Sequence, residues 1–411
     1  MLAGKRIGVI TNHSAISSKG HTALDEFSRM SAFSVGAVFA PEHGLEGCIP
    51  AGQQVPAVSQ GPGGVPVYGL YSRSTTDPQA LDEQCVSGVT AAGASFDVKK
   101  PEIEWLERLD ALVFDVQDFG SRYNTFLSTL RLCLEAAAEA QLPFIVLDRP
   151  NPILGDRFEG FPLQPEYESY VGFIPGVLAR HGLTTGEVAR LICGTIGLDV
   201  DLSVARMDGW TRNMWFDRTG LPWVPPTPNM VSLDTALVYV GTCLVEGTNL
   251  SEGRGTLLPF QWIGAPWLDS RRIAEEMNAR KLPGVLFSSA SFLPLYDKHE
   301  GCICQGIHIH VLNRDEFKPF ASAALLLESV KRLHPDRLLW IQAVRESLSD
   351  YGSTATSAAC PFIDLIAGTA RLRVTIETGE DLTELLEESE SAVCEYEDRI
   401  QEYMLYASNT K

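Results

Sequence analysis

Three apolar segments of this chain end abruptly in charged or amide side chains. They cover residues 33–39, 109–114 and 144–147, and each is a short run of mainly aliphatic and aromatic residues. Runs of this kind indicate strands that are buried on both faces, which is typical of a parallel sheet. Helices must cover both faces of such a sheet, so we expect a doubly wound α/β domain.

The polar residues that follow these strands are the first candidate site residues. In open α/β sheets the ligand crevice lies outside the carboxyl ends of the strands. We therefore expect one rim of the sheet to carry Glu42, His43, Asp115, Asp118, Asp148 and Arg149. Asn12, at the end of a first strand over residues 6–12, and Gln117 join the same rim. The pattern predicts an active site there.

The chain alternates strands and helices through its amino-terminal half and then changes organisation. The clearest helical pattern covers residues 124–141, and its positive amino end points toward the predicted rim. A proline-rich segment, residues 222–228, favours an extended interdomain connection. An alternating strand at residues 306–311 lies among later helical patterns. We predict a mostly parallel sheet domain over residues 1–221, followed by a smaller α+β domain over residues 226–411.

Charge and hydropathy exclude several classes of partner. The formal net charge is −19, and binding to phosphate groups needs a basic face, so we expect neither nucleic acid nor an anionic membrane as a partner. No apolar run is long enough to predict a membrane span. The first residues enter a strand without a signal-peptide pattern, so we expect a cytoplasmic location. The expected partner is a small molecule, and the sequence does not determine the oligomeric state.

Metal and cofactor chemistry has only weak support in the sequence. The nine cysteines are scattered, so we expect free thiols. His308 and His310 share one face of a strand, but no third ligand follows at suitable spacing, so hydrogen-bonded histidines are the expectation. One alternative function is a metal-dependent hydrolase whose ligands would be His13, His43, Asp115 and His181. These residues lack the fixed spacing of a metal-binding helix. We predict no metal and no cofactor.

A second alternative is a binding module that holds a nucleotide or a sugar without chemistry. A dinucleotide-binding domain has a Gly-X-Gly-X-X-Gly turn after its first strand. Residues 11–15 read Thr-Asn-His-Ser-Ala at that place. A nucleotide-binding module would therefore lack the motif that such domains carry after the first strand.

Six segments taken together resemble the signatures of one bacterial family. They are Pro-Glu-His-Gly at 41–44, Val-Phe-Asp-Val-Gln-Asp at 113–118, Asp-Arg-Pro-Asn-Pro at 148–152, Arg-His-Gly-Leu-Thr-Thr-Gly-Glu at 180–187, Pro-Asn-Met at 228–230 and Glu-Gly-Thr-Asn-Leu-Ser-Glu-Gly-Arg-Gly-Thr at 246–256. From Gly4 to about Tyr406, the chain is similar to the NamZ-like exo-β-N-acetylmuramidases of glycoside hydrolase family 171.

The resemblance implies a Rossmann-like amino domain and a smaller carboxyl domain, with the site in the cleft between them. It also implies an activity, the release of N-acetylmuramic acid from the non-reducing end of peptidoglycan fragments during cell-wall recycling. The expected substrate is a muropeptide or a disaccharide that contains N-acetylmuramic acid.

Glycoside hydrolysis needs an acid that protonates the leaving oxygen and a second group that supports the sugar cation. Glu42 matches the glutamate of the family's Pro-Glu-His-Gly turn and is the predicted acid. We expect its apolar neighbours Phe39 and Ala40 to desolvate it and raise its pKa. His43 is expected to orient Glu42 or to shuttle a proton. Each residue could instead have a purely structural role. Glu42 would then be a salt-bridged or helix-capping glutamate, and His43 a hydrogen-bonded structural histidine.

Asp115 and Asp118 are the predicted catalytic partners of Glu42. Either could steady the acetamido group of the sugar or activate water. The lactyl carboxylate of muramic acid needs a cation, and the four candidates in motif segments are Arg122, Arg149, Arg180 and Arg254. We expect at least two of these arginines to pair with neighbouring acids instead. The other expected substrate contacts are Asn12, Gln117, Tyr123, Asp148, His181, Asn249 and Glu252.

Two features depart from the family pattern. The family often has a glutamate after an Ala-Gly pair in this region, whereas here Gln53 follows Ala51 and Gly52. A catalytic role for that glutamate would imply an altered activity in this chain. Residues 72–100 are rich in small and polar side chains and are longer than expected for the family. We expect them to form a mobile loop or a lid.

Overall fold

The computed structural model describes residues 2–71, 100–345 and 358–408. The amino-terminal part is built on a seven-stranded sheet in the order β3-β4-β2-β1-β5-β6-β7. Its strands are β1 Arg6–Thr11, β2 Ser34–Ala40, β3 Val58–Gln60, β4 Pro66–Gly69, β5 Ala111–Asp115, β6 Phe144–Leu147 and β7 Leu202–Ala205. All neighbouring strands are parallel except β3, which is antiparallel to β4. The expected mostly parallel sheet is confirmed.

Both faces of this sheet are covered, as the apolar strands require. The helices of this part are α1 Ala23–Ser28, α2 Ile103–Leu106, α3 Thr125–Glu139 and α4 Thr185–Ile196. Leu24 and Phe27 of α1 pack against one face, and α3 and α4 cover the other with a larger apolar cluster. Asn124 begins α3 by accepting a hydrogen bond from the backbone N–H of Phe126 at 3.1 Å. The helix expected at residues 124–141 is thus present.

The carboxyl-terminal part is α+β, as expected. A three-stranded antiparallel sheet has the order β8-β10-β9, and a separate strand pair joins β11 to β12. The strands are β8 Trp262–Ala265, β9 Val285–Phe292, β10 Cys304–Val311, β11 Gln342–Arg345 and β12 Ala358–Pro361. The helices are α5 Leu233–Thr242, α6 Ser270–Ala279, α7 Pro319–Leu333, α8 Phe362–Ala367, α9 Arg371–Thr378 and α10 Leu382–Ile400.

The two parts are tied together by the last helix and by a buried arginine. Tyr396 and Ile400 of α10 belong to the apolar cluster of the amino-terminal sheet. The Tyr396 hydroxyl donates to the carbonyl of His181 at 2.8 Å. Arg122 donates to the carbonyl oxygens of Phe161, Val177 and Ile366. These contacts fix the two walls of the cleft that lies between the parts.

Other expectations concern membranes, cysteines and the long loop. Within the described ranges, no helix has the length and apolar character that crossing a membrane requires. The described cysteines all carry free thiols, as expected. The predicted loop or lid at residues 72–100 lies outside the described residues except for Lys100.

Candidate active site

A cleft between the two parts collects polar side chains from both, and we call it the central cleft. From the amino-terminal part it is lined by Glu42, His43, Gln53, Tyr123, Asn124 and Thr125. From the carboxyl-terminal part it is lined by Asn229, Glu246, Arg254, Tyr296, Asp297 and Glu300. Acidic groups thus face each other across the junction, so the central cleft is the candidate active site.

Glu42 follows β2 directly and is held at the amino end of α3. The Thr125 hydroxyl donates to Oε2 of Glu42 at 2.5 Å. Thr125 is the first residue of α3, so the positive end of the helix points at this carboxyl group. Phe39 and Ala40 are buried beside it, and Glu42 itself is only 8% exposed. The end of a buried strand and the start of a long helix therefore fix its position.

His43 is oriented by the turn that carries it. Its Nδ1 lies 2.7 Å from the carbonyl oxygen of Ile49. A carbonyl only accepts, so Nδ1 carries the proton and donates it. The other ring nitrogen, Nε2, lies 4.0 Å from Oε2 of Glu42. The backbone of His43 has a φ of 71°, an unfavourable conformation for a non-glycine residue. The turn thus fixes the His43 ring beside Glu42, with Nε2 beyond hydrogen-bond distance of the carboxylate.

The opposite wall carries a network of buried charges. Arg254 donates through Nη2 to Glu246 at 3.1 Å and lies with Nε 3.0 Å from Glu252. Lys298 donates to the other oxygen of Glu252 at 3.0 Å. Burial raises the pKa of Glu246. Burial has the same effect on Glu252, but the neighbouring Lys298 and Arg254 outweigh it and lower the pKa of Glu252.

Tyr170 links the two acidic walls electrostatically. It lines the central cleft, and its phenol has a strongly raised pKa. Burial is the main cause, and the negative charges of Glu246 and Glu42 both add to it. Glu42, Tyr170 and Glu246 all line the central cleft, so the charges of both carboxylates act on this one phenol.

Sequence analysis missed Glu246 as a candidate, although it quoted the segment that Glu246 begins. Glu246 lies in a short 3-10 helix, Cys243–Gly247, that continues from α5. A mainly apolar run, residues 236–245, comes directly before it. A charged side chain at the end of a buried apolar run is the same signal that selected the strand-end residues, here at the end of a helix.

The expected single rim is divided in the structure, which corrects the sequence-based grouping. Asp115, Asp148 and Arg149 line a different pocket, which we call the rim pocket. Arg149 donates to Asp115 through Nε and to the carbonyl of Ile16 at 3.0 Å through Nη1. The described residues that line the rim pocket all lie between 115 and 221, whereas the turn after β2 lines the central cleft together with residues of the carboxyl-terminal part.

Asp148 is enclosed by hydrogen-bond donors from distant segments. Its oxygens accept from the backbone N–H of Gly186 at 2.8 Å and from the hydroxyls of Thr184 and Tyr406 at 2.8 and 2.7 Å. Burial outweighs these bonds and raises the pKa of Asp148 to about 6. The carboxyl group of Asp148 is therefore hydrogen-bonded within the protein, and it does not line the central cleft.

Asp118, Gln117 and His181 stabilise the loop that leads to α3. Asp118 accepts from the backbone N–H of Gly120 at 2.8 Å and from Nδ2 of Asn124 at 2.7 Å. Nε2 of the buried His181 lies 3.3 Å from the same carboxylate. Gln117 donates to two backbone carbonyls. These side chains position Tyr123 and Asn124, which do line the central cleft.

Asn12 and Asn249 also have local structural partners. The side-chain oxygen of Asn12 accepts from the backbone and hydroxyl of Ser14. The amide of Asn249 donates to the carbonyl of Arg337 at 2.9 Å and accepts from the N–H of Leu339 at 3.0 Å. Neither residue lines the central cleft. The side-chain oxygen of Asn12 and both ends of the Asn249 amide fix neighbouring chain instead.

Three of the four candidate arginines pair with acids, as expected. Arg149 pairs with Asp115, Arg180 with Glu159, and Arg254 with Glu246 and Glu252. The fourth, Arg122, is fully buried and bonds to carbonyl oxygens. Among the described residues that line the central cleft, Arg254 is the only arginine or lysine.

The candidate metal ligands in the described part of the chain do not form a group of three. His308 and His310 contact each other with ring centroids 3.8 Å apart, and His310 is hydrogen-bonded to Ser288 at 2.8 Å. Nε2 of His13 lies 2.8 Å from the carbonyl oxygen of Pro225. In the part of the chain that the structure describes, no three His, Cys, Asp or Glu side chains are grouped to hold a metal ion.

A Rossmann-like sheet domain and a smaller domain that meet at an acid-lined cleft define a class of two-domain α/β proteins. Comparison with known families then identifies the chain. Two family models, described as Exo-beta-N-acetylmuramidase NamZ, N-terminal and C-terminal, match residues 7–234 and 237–406. The chain belongs to the NamZ family, as the sequence motifs indicated.

Individual relatives agree over nearly the whole chain. The chain is 36% identical over 405 residues to the peptidoglycan beta-N-acetylmuramidase NamZ of Bacillus subtilis, a match that covers 98% of this chain and 88% of the relative. Two crystal structures of DUF1343 family proteins from Bacteroides fragilis are similar in fold. The first has a TM-score of 0.80 at 28% identity and the second 0.71 at 25%. These matches cover 98% and 99% of this chain, and 95% and 96% of the two relatives.

Proposed function

We propose that this protein is an exo-acting glycosidase that releases terminal N-acetylmuramic acid from peptidoglycan fragments. One observation carries the proposal. Carboxyl groups from both domains, Glu42 and Glu246, face one cleft in a chain that aligns over 98% of its length with a peptidoglycan beta-N-acetylmuramidase.

The arrangement of the central cleft suits glycoside hydrolysis. Two carboxyl groups on opposite sides of a sugar can divide the work, since one protonates the leaving oxygen and the other supports the anomeric centre or activates water. Burial of both groups limits competition from solvent and strengthens their electrostatic effect. Glu42 supplies one of the two carboxyl groups, the Thr125 hydroxyl orients it, and His43 lies beside it.

The cation that lines the central cleft supports the proposed substrate class. Muramic acid differs from glucosamine by a lactyl carboxylate, which needs a hydrogen-bond donor or a cation. Arg254 lines the cleft, where its Nη2 donates to Glu246 and its Nε lies 3.0 Å from Glu252 and 3.9 Å from Asp297. It is therefore the arginine that we place near the lactyl group, whereas Arg122 and Arg180 are buried in the fold. A muropeptide or a disaccharide from wall recycling would present that group.

The test compares a chromogenic N-acetylmuramide with the matching N-acetylglucosaminide. We expect the muramide to be cleaved at least ~100-fold faster, which corresponds to about 2.7 kcal/mol of differential transition-state binding. Equal rates would remove the muramidase assignment and leave a general hexosaminidase. A Glu42→Gln preparation is the control for contaminating hexosaminidase. Cleavage of neither substrate would contradict the glycosidase proposal itself.

A further inference from the structure

The central cleft contains a second carboxyl group whose surroundings differ from those of Glu42. Resting on the proposed function, we propose that Glu246 is the proton donor of the reaction and that Glu42 acts on the anomeric centre from the other wall. The sequence motifs favour Glu42 as the proton donor, and this assignment gives that role to Glu246 instead. Each domain then supplies one of the two catalytic carboxyl groups.

The first support is the position of Glu246 relative to its neighbour Glu252. Both glutamates bind Arg254, but the Glu246 side chain is 13% exposed and lines the central cleft, whereas that of Glu252 is 2% exposed and does not. Arg254 and the Cys243 thiol both donate to Oε1 of Glu246. Among the described residues, no donor meets Oε2. That oxygen is the one available to carry a proton to a bound sugar.

The second support is the electrostatic environment of Glu246. Burial raises its pKa, and the nearby charge of Glu252 adds to the effect, while Arg254 and Lys298 oppose it. Tyr170 and Tyr239 also face Glu246, and its charge raises the pKa of both phenols. A raised pKa favours the protonated form of the carboxyl group, which is the form that a general acid requires.

The surroundings of Glu42 favour the complementary role. The Thr125 hydroxyl donates to Glu42, and the amino end of α3 points at it. Both groups stabilise negative charge at that end of the cleft. A fixed carboxylate at this position would support the positive charge that develops on the sugar. Two carboxyl groups in contrasting environments are the usual basis for dividing the acid and base roles.

The step balances without any additional reagent. The carboxyl proton of Glu246 moves to the glycosidic oxygen as the bond between that oxygen and the anomeric carbon breaks. The electron pair of that bond stays with the departing alcohol. Water then supplies hydroxide to the anomeric carbon, and its remaining proton restores the carboxyl group of Glu246. The net reaction is the addition of one water across one glycosidic bond.

The experiment compares leaving groups in matched variants of the full chain. A natural disaccharide has a poor leaving group and needs protonation, whereas a nitrophenyl muramide needs little. Because kcat/KM reports the steps up to departure of the leaving group, we expect Glu246→Gln to lose about 10²–10⁴-fold in kcat/KM on the disaccharide and less than ~10-fold on the nitrophenyl substrate. Glu42→Gln should lose activity on both substrates alike. Glu252→Gln is the control for disturbing Arg254, and any loss it shows should be equal on the two substrates.

A pH profile gives a second readout. The alkaline limb of kcat/KM on the disaccharide should disappear in Glu246→Gln and persist, shifted, in Glu246→Asp, which keeps a titrating group. Thermal unfolding checks that each variant folds, and Glu246→Asp carries the test if Glu246→Gln does not. An equal loss on both substrates in the Glu246 variant, or a leaving-group dependence in Glu42→Gln, would overturn the assignment. Failure of the wild type to cleave either substrate would instead contradict the proposed function.

Discussion

Carboxyl groups gather in two places in this molecule, the central cleft and the rim pocket, and the two differ in what engages them. In the rim pocket, Asp115 is paired with Arg149, and Asp148 accepts hydrogen bonds from segments far along the chain. In the central cleft, Glu42 and Glu246 each have protein donors on one oxygen only, among the described residues. Position at a strand end predicts where polar groups collect, and the partners supplied by the rest of the chain decide which of them stay available.

The largest expected effect is a loss of kcat that distinguishes the central cleft from the rim pocket. Replacing Glu42 by Gln removes a titrating group but keeps its shape, so kcat should fall by at least about 10²–10⁴-fold. Asp115→Asn leaves Arg149 with one partner fewer but lies outside the central cleft, so kcat should change by less than about 10-fold. Steady-state kinetics on a muramic acid disaccharide measures both. A larger loss in Asp115→Asn than in Glu42→Gln would reverse the comparison between cleft and rim.

The next effect is on stability and concerns a motif arginine that the fold uses. Arg122→Met leaves three buried carbonyl oxygens with one donor fewer, so the free energy of unfolding should fall by about 3–5 kcal/mol. The matched control is Arg157→Met, whose side chain is 51% exposed and should cost less than about 0.5 kcal/mol. Urea unfolding measures both.

The same pair of variants also tests substrate binding. The KM of Arg122→Met for the muramide should stay close to that of the wild type, because Arg122 is buried away from the central cleft. A raised KM with unchanged stability would show instead that Arg122 binds the lactyl carboxylate.

The smallest effect is a pH dependence that comes from the rim pocket. Burial raises the pKa of Asp148 from 3.8 to about 6, so the folded protein binds this proton more tightly than the unfolded chain does. Stability from this group is therefore greatest below about pH 4 and declines as pH rises to about 6. Relative to Asp148→Asn, the wild type should lose about 3 kcal/mol across that window. Urea unfolding at several pH values measures the difference, and a flat or rising difference would contradict it.

Sequence patterns were most successful where one local rule determines the structure. The strands at Arg6–Thr11, Ser34–Ala40 and Ala111–Asp115 follow from short apolar runs, because each must be buried on both faces. The long helix Thr125–Glu139 follows from its periodic apolar face and its Asn124 cap. These elements needed no knowledge of distant contacts.

The candidate site depended on distant contacts, and there the sequence was less informative. Asp118 and His181 lie far apart in the chain but are adjacent in the fold, where they stabilise a loop. Asn249 is held by residues 337–339, which nothing in its own motif indicates. Glu246 follows an apolar run that is helical, so its polar end does not belong to the strand-end pattern that predicts the other site residues. A motif marks a segment that matters, and only the fold shows which of its side chains faces the cleft.

The central claim is that the sugar binds in the central cleft, between Glu42 and Glu246. The most direct measurement is a crystal structure of Glu42→Gln with a disaccharide that carries non-reducing terminal N-acetylmuramic acid. We predict that its terminal sugar lies against residue 42 and Tyr170, with the glycosidic oxygen within hydrogen-bond distance of Glu246. A sugar bound instead in the rim pocket, against Asp115 and Arg149, would contradict the claim.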